Sequence, residues 1–315
     1  MSVHRALAPA KVNLGLFVGP TRASDGRHEL VTVMQSISLA DEITLEDAPS
    51  GVRADEILCP GVPGPPRENL AAAALRAFRA ATGWAPPQRL TIVKRIPVAA
   101  GLAGGSADAA ATLRLAVHAS GLGDERLLRE LGIGLGADVP AQIAPGRWLA
   151  SGAGEQLAEL PKPGSALGVL VLAAETGLST GAVYGEADRL DITRTSTELD
   201  DLRERISAAL EGAATLPGAA DLLHNDLQRA AESLCPEIAE RLERVRRAGA
   251  DVAMVSGSGP TVLGLFAPSR DGGLDGPERA AGAASRLDGS GRAPICATSV
   301  DATFGRCVTI SGGQT

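Results

Sequence analysis

Apolar positions recur along this chain with a period that keeps changing, and each change marks an element. Leu7–Val18 alternates as a strand and puts Lys11 and Asn13 on one face, two residues apart. Residues 30–39 and 42–46 read as two further strands with Asp41 at the turn between them. Asn69 starts an amphipathic helix that runs to about Thr82 and stops at the Gly- and Pro-containing segment 83–87. Leu90–Ile96 has the β-branched content of a short strand. Ala109, Leu113, Ala116 and Val117 then recur at helical spacing, which predicts a helix from about Ser106 to Ala119. Residues 124–132 read as a short charged helix, 134–140 as a turn, and 147–154 and 156–160 as strands. The Pro- and Gly-rich segment 161–164 is the best linker and divides the chain into 1–162 and 163–315. Beyond it come a strongly apolar strand at 166–174 and helices at 179–190, 197–210 and 225–248. Strands at 252–256 and 261–266 flank a glycine turn, a helix follows at 277–287, and 300–304 or 307–310 supplies a last strand. Strands and helices mix without regular βα alternation, so the fold class is α+β, with two sheets each covered by helices on one side.

Composition narrows this picture. The 315 residues are 44% hydrophobic and 21% charged but only 2% aromatic, so the core must be built from Leu, Val, Ile and Ala. The net charge of −7, with Lys and Arg dispersed, offers no footprint for nucleic acid. No apolar run reaches membrane-spanning length and the N-terminus lacks a signal-peptide core, so a cytoplasmic protein is expected. Cys59, Cys235, Cys296 and Cys307 show no C-x-x-C spacing and read as reduced, scattered thiols.

The candidate chemistry centres on the stretch between the 90–96 strand and the following helix. It comprises Pro97, Val98, Ala99, Ala100, Gly101, Leu102, Ala103, Gly104, Gly105, Ser106 and Ala107. Glycines feeding a helix start allow close backbone approach, and the free N–H groups of the first turn make an anion site. Ser106 can cap the helix or donate to a phosphate. A Walker loop is excluded, because Gly105 is followed by Ser106-Ala107 rather than Lys-Ser/Thr, and G-x-G-x-x-G does not fit. A small-residue packing turn explains the glycines as well.

Other residues carry two readings each. Asp138, in the turn Leu135-Gly-Ala-Asp-Val-Pro140, is a candidate general base or a backbone cap. Lys11, inside an apolar strand, must reach a ligand, a partner or water. His28 follows Asp25-Gly-Arg27 in a polar loop, where a solvated side chain is the plain alternative. Tyr184, the chain's one tyrosine, is a ligand contact or a helix-packing residue. Gly257, Ser258 and Gly259 form a glycine turn, and Asn225-Asp226 precedes a helix as a cap. His4, His118 and His224 read as structural or solvated. Asp108 sits where a helix dipole favours an acid. No all-protein metal site is readable.

The spelling PVAAGLAGGSADAA resembles the second motif of the GHMP kinases, P-x-x-x-G-L-x-(G/S)-S-(S/A)-x-A-A. Ala8–Leu14, Leu135–Pro140 and Val255–Thr261 match further family motifs in order, over most of the chain. The resemblance implies a two-domain GHMP kinase fold, with an N-terminal domain like domain 2 of ribosomal protein S5 and a ferredoxin-like C-terminal domain, the site lying in the cleft between. It implies ATP held by 97–107 and closed by 257–259, Mg²⁺ carried with the nucleotide, Asp138 as catalytic base and Lys11 as its charged neighbour. It also implies a small-molecule substrate, cytidine diphosphate methylerythritol, bound by Asn13, Arg27, His28 and Tyr184 and phosphorylated on its 2-hydroxyl on the way to isoprenoid precursors. Related members spell D-G-(Tyr/Phe)-H where this chain has Arg27; a guanidinium also offers a planar face to a base. The rivals are a family kinase for homoserine, mevalonate or a sugar, and a nucleotide-binding regulator without catalysis.

Overall fold

The computed structural model describes residues 2–62, 64–174, 177–211, 221–269, 271–287 and 293–311. The chain opens with a long antiparallel pair, β1 (Ser2–Thr21) and β2 (His28–Asp47), followed by the short β3 (Glu56–Leu58). Helix α1 (Leu70–Thr82) is capped by the Asn69 side chain and ends at a left-handed Gly83. Then come β4 (Gln88–Val93), α2 (Gly104–Ser120), α3 (Glu125–Leu135), α4 (Val139–Ile143), β5 (Arg147–Ser151) and β6 (Gln156–Glu159). The second half runs β7 (Gly168–Leu172), α5 (Thr180–Arg189), α6 (Ser196–Glu211), α7 (Gln228–Leu234), α8 (Glu237–Arg247), β8 (Val252–Val255), β9 (Val262–Phe266), α9 (Gly276–Leu287), β10 (Ile295–Thr298) and β11 (Val308–Ser311).

Among the described residues the strands form two sheets. The first has the path β11-β1-β2-β4-β3, with β5 and β6 extending from β2. The second is antiparallel in the order β10-β7-β9-β8, the 4-1-3-2 arrangement of a ferredoxin-like unit. The α+β expectation with two sheets holds. The chain nonetheless returns to its start, because β11 pairs with β1 and adds an edge strand to the first sheet.

Period-2 alternation on β7 explains how the sheets share a core. Val169 and Val171 pack in one apolar cluster with Val12 and Leu14 of β1 and Leu263 and Leu265 of β9. Leu170 and Leu172 face the other way, into a cluster with Ile238, Leu242 and Val245 of α8 and Ala280 and Ala283 of α9. A third cluster of alanines, leucines and Phe78 joins α1 to α2. Buried Ala, Leu, Val and Ile dominate throughout, as the scarcity of aromatics requires.

Several elements differ from their sequence reading. Asp41 is no turn: β2 runs straight through it, opposite Ala8, with its carboxylate fully buried. An acid survives there because Lys94 and the N–H groups of Arg95 and Ile96 (2.5 and 2.8 Å) all donate to it. The helix expected over 225–248 is broken at Cys235-Pro236 into α7 and α8. Helix α2 begins at Gly104, two residues early, so Ser106 lies inside the first turn and caps nothing. Residues 300–304 form turns, whereas 307–310 approximates β11; β3 and β10 went unpredicted because each is three or four residues long.

Helix α9 lies almost directly on β7. A Cβ on Gly168 would sit 1.9 Å from the Gly276 carbonyl oxygen. Gly168→Ala is therefore expected to lower stability by about 1–3 kcal/mol through overpacking, read as a lower urea midpoint at unchanged slope.

Candidate active site

A cleft of about 540 Å³ opens between β1, β2, the 97–103 loop, α5 and the 257–258 turn. Lys11 and Asn13 project into it from β1, where register shifts at residues 9–11 and 13–15 bend the strand. Lys11 is only 7% exposed, so its amine must be compensated. It donates to Asn13 Oδ1 at 2.8 Å and lies 3.6 Å from Asp138 Oδ2. Asn13 Nδ2 donates to Thr32 Oγ1 at 2.7 Å, and Thr32 donates onward to the Gly15 carbonyl at 2.7 Å. This chain fixes which way the Asn13 amide faces. Asp138 precedes α4 yet makes no capping bond, and its side chain is 35% exposed toward the cleft. The capping alternative for Asp138 is thereby removed.

The 97–107 loop packs against this pair. Lys11 N–H donates to the Leu102 carbonyl at 3.1 Å, tying the loop to β1. Ser256 Oγ donates to the Gly101 carbonyl at 3.2 Å, tying it to the glycine turn. Gly101, Ala99 and Ala103 all have positive φ. For the two alanines that conformation costs about 1–2 kcal/mol each, a strain found where backbone is held open for a ligand. Gly101 has no alternative, since a Cβ there would meet Ser256 O at 2.7 Å. At Gly104 a Cβ would point inward, toward Ile96 and Lys94, rather than into the cleft.

A second cavity, of about 350 Å³, lies on the far side of the loop against Val62, Asn69, Leu70, Lys94 and Asp108. Lys94 was not foreseen. It sits between Asp41 and Asp108, donating to both, at 2.7 Å to Asp108 Oδ2. Its signal was the one used for Lys11, a lysine among apolar neighbours. Burial pulls the Lys94 amine down, but the Asp108 charge and the two carboxylate hydrogen bonds outweigh it and leave the amine above its ordinary value. Two acids sharing one lysine cannot both be fully compensated. Burial, with Asp41 nearby, pushes Asp108 up to about 7 despite Lys94. The dipole reading of Asp108 is thus incomplete.

At the other end of the cleft, Tyr184 of α5 stacks on His28, with ring centroids 5.2 Å apart and planes 29° from parallel. His28 Nδ1 donates to the Gly19 carbonyl at 2.9 Å, and Nε2 faces Asp188 at 3.3 Å. His28 is therefore held, not solvated, and turns its face toward Tyr184. Arg27 lines the cleft while its Nη2 donates to the Ala153 carbonyl at 2.7 Å. Burial, with the Asp138 charge, pushes the Tyr184 phenol up to about 12, so it stays a neutral donor.

Gly257 and Gly259 both have positive φ; Gly257 lines the cleft beside Asn13, whereas Gly259 does not line it and packs toward Val255, Ala231 and Ile238. Ser258 Oγ lies 3.1 Å from Thr180 Oγ1 of α5. Asn225 does not cap α7, whose N-terminus at Leu227 has no side-chain cap; its Oδ1 accepts from Leu227 N–H in the turn before the helix, and its amide donates to the Val255 and Gly257 carbonyls at 2.8 Å, so it braces this turn. Asp226 accepts from both Arg194 nitrogens at 2.7 Å and from Val18 N–H. His224 is not isolated: it lies 3.1 Å from Asp226 and stacks on Phe17. His4 and His118 meet edge-to-face at 5.3 Å, both within reach of Thr309 Oγ1. Among the described residues no cluster of three or more metal-ligating side chains occurs.

The 97–107 loop, a buried lysine and a facing carboxylate thus meet at one cleft. Residues 69–146 match the N-terminal domain of GHMP kinases, and residues 206–291 match their C-terminal domain. The chain belongs to the GHMP kinase family. It is 45% identical over 276 residues to the 4-diphosphocytidyl-2-C-methyl-D-erythritol kinase of Streptomyces coelicolor, covering 83% of this chain and 87% of that one. It is 39% identical over 308 residues to the enzyme of that name from Anaeromyxobacter dehalogenans, covering 96% and 90%. A crystal structure of 4-(cytidine 5'-diphospho)-2C-methyl-D-erythritol kinase superposes with a TM-score of 0.72 at 34% identity, over 93% of this chain and 98% of that one. Homoserine kinase from Cytophaga hutchinsonii superposes at 0.71 but 15% identity, over 98% and 97%, which is a likeness of fold. No helix among the described residues is long and apolar enough to cross a membrane.

The raised Asp108 gives a pH prediction. Between about pH 4 and 7 the folded chain holds a proton there that the unfolded chain has lost, so this group's contribution to stability falls as pH rises through that window. Asp108→Asn is expected to gain stability relative to the parent at pH 7.5 compared with pH 5. Urea midpoints at the two pH values check it; a gap that does not widen toward pH 7.5 contradicts the assignment.

Proposed function

We propose that this chain transfers the γ-phosphoryl group of ATP to the 2-hydroxyl of 4-diphosphocytidyl-2-C-methyl-D-erythritol, a cytoplasmic step of the non-mevalonate route to isoprenoid precursors. The observation that carries the reading is the Lys11–Asp138 pair, 3.6 Å apart beside the 97–107 loop. Phosphoryl transfer needs a cradle for the phosphates, positive charge for the transition state and a group to receive the hydroxyl proton. The N–H groups at the start of α2 make the cradle. The cavity walled by Lys94 and the loop takes the rest of the nucleotide, and Ser258 closes over the phosphates from the opposite turn. Mg²⁺ carried with the nucleotide would neutralise charge on the phosphate oxygens, and the Asp138 carboxylate would offer it a hard oxygen ligand.

Each chemical event has a residue. The substrate oxygen attacks the γ-phosphorus, its proton passes to Asp138 Oδ2, and the bond to ADP breaks. Lys11, 3.6 Å from Asp138, offsets the charge spreading over the phosphoryl oxygens. Asn13, fixed by Thr32, hydrogen-bonds the substrate near the reacting hydroxyl. Tyr184, His28 and Arg27, at the far end, bind the cytosine.

A substrate panel separates this reading from the family's other chemistries. Coupled ADP release should appear with the cytidine diphosphate compound and not with homoserine or mevalonate; release with either of those alone overturns the assignment. The absence of release with every substrate would favour a non-catalytic nucleotide-binding regulator. Asp138→Asn should fold and bind ATP yet lose about 10²–10⁴ in kcat, and near-normal turnover would take Asp138 out of the mechanism. Tyr184→Ala should cost about 1–3 kcal/mol, felt in KM for the cytidine substrate and not in KM for ATP, because a stack remote from the reacting oxygen binds ground and transition states alike.

A further inference from the structure

Away from the cleft, a recess of about 360 Å³ opens where the chain passes between the two sheets. Its floor is Gln35 of β2 and Arg147 of β5, and its rim comes from residues 162–166 and 299–304. Arg147 is only 7% exposed. Its Nε donates to Gln35 Oε1 at 2.9 Å, and the Gln35 amide donates in turn to the Ser36 and Val300 carbonyls at 3.0 and 3.1 Å. The guanidinium is thus held firmly by one nitrogen. Among the described residues its two terminal nitrogens have no protein partner, and no carboxylate pairs with it.

The one acid on the rim is already engaged. Asp301 accepts from Lys162 Nζ at 2.6 Å and from Thr303 N–H and Oγ1 at 2.8 and 2.6 Å. Arg114, by contrast, donates to two carbonyls, of Gln142 and Leu7. Burying a cation without a counter-charge is unfavourable unless something arrives to pair with it. Ser299 Oγ accepts from Leu167 N–H at 3.0 Å and keeps its own proton to donate.

We propose that this recess is a phosphate-binding site separate from the catalytic cleft, in which Arg147 takes two phosphate oxygens side by side. A planar fork of two N–H donors fits a phosphate in this way, and Lys162 and Asp301 at the rim neutralise each other and leave Arg147 as the uncompensated charge. The ligand is a small organic phosphate or inorganic phosphate itself; the volume leaves room for more than the bare ion.

The test uses the full chain with its cleft filled by a non-hydrolysable ATP analogue and Mg²⁺, so that the 97–107 loop cannot take up the anion. Inorganic phosphate, glycerol 3-phosphate and glycerol are then titrated by calorimetry. Both phosphates should bind saturably and glycerol should not; tighter binding of glycerol 3-phosphate identifies an organic phosphate as the occupant, and equal binding identifies the free ion. Arg147→Met should weaken binding by about tenfold or more, as loss of charge-assisted hydrogen bonds implies, while kcat measured without added phosphate stays unchanged. Arg147→Gln, neutral but able to hydrogen-bond Gln35, should weaken binding to the same degree and serves if the Met variant does not fold. No saturable binding to the parent, or undiminished binding to the variants, overturns the proposal.

Discussion

The backbone between Pro97 and Ala107 has to be held away from its relaxed shape, with donors left unpaired at the start of α2, and that constraint organises the rest of the molecule. The strain of a left-handed Ala99 and Ala103 must be offset by anchors elsewhere. Three directions supply them. From β1, Lys11 N–H grips the Leu102 carbonyl. From the second half of the chain, Ser256 reaches the Gly101 carbonyl, and Gly101 lets the two turns approach more closely than any side chain would permit. From beneath, Lys94 clamps Asp108 of α2 to Asp41 of β2. The loop is the place where attachments from both halves of the chain meet.

Charge follows the same logic. Lys11 and Lys94 are both drawn into low-dielectric surroundings, but with opposite provisions. Lys94 has two carboxylates within hydrogen-bond reach and is locked in place. Lys11 has one, at 3.6 Å and partly in solvent, and otherwise leans on the neutral Asn13 amide. A lysine paired this loosely keeps electrostatic capacity for an incoming anion, whereas Lys94 has spent its own on structure. That difference separates the residue suited to phosphoryl transfer from the one that supports the fold.

What the sequence disclosed depended on how local each signal was. The loop's glycines, the shared face of Lys11 and Asn13, and the cap at Asn69 are spelled within a few residues of one another. Asp41 was misread because its partners at Lys94, Arg95 and Ile96 lie more than fifty residues away, and an isolated acid between apolar runs looks like a turn. The same distance hid Lys94. The Cys235-Pro236 break was visible in the residues and was overridden by helical periodicity on both sides of it. Ser106 resembled a cap because composition changes there, whereas the backbone enters the helix at the left-handed Ala103, a position that sequence alone gives no reason to prefer over glycine.

The far end of the cleft argues from construction rather than spelling. Arg27 lines the far end of the cleft, and a flexible cation would make a poor wall by itself. Here the loop around it is fastened: Arg22 pairs with Asp25 and Glu155, Arg27 N–H donates to Asp25, and Glu155 also receives the Ala153 N–H. Arg27 then donates to the carbonyl of that same Ala153, so its guanidinium is pinned between two turns. Pinning removes most of the rotamer entropy that a long side chain would otherwise lose on contact with a ligand. A guanidinium held in this way presents a flat cationic face to the cleft.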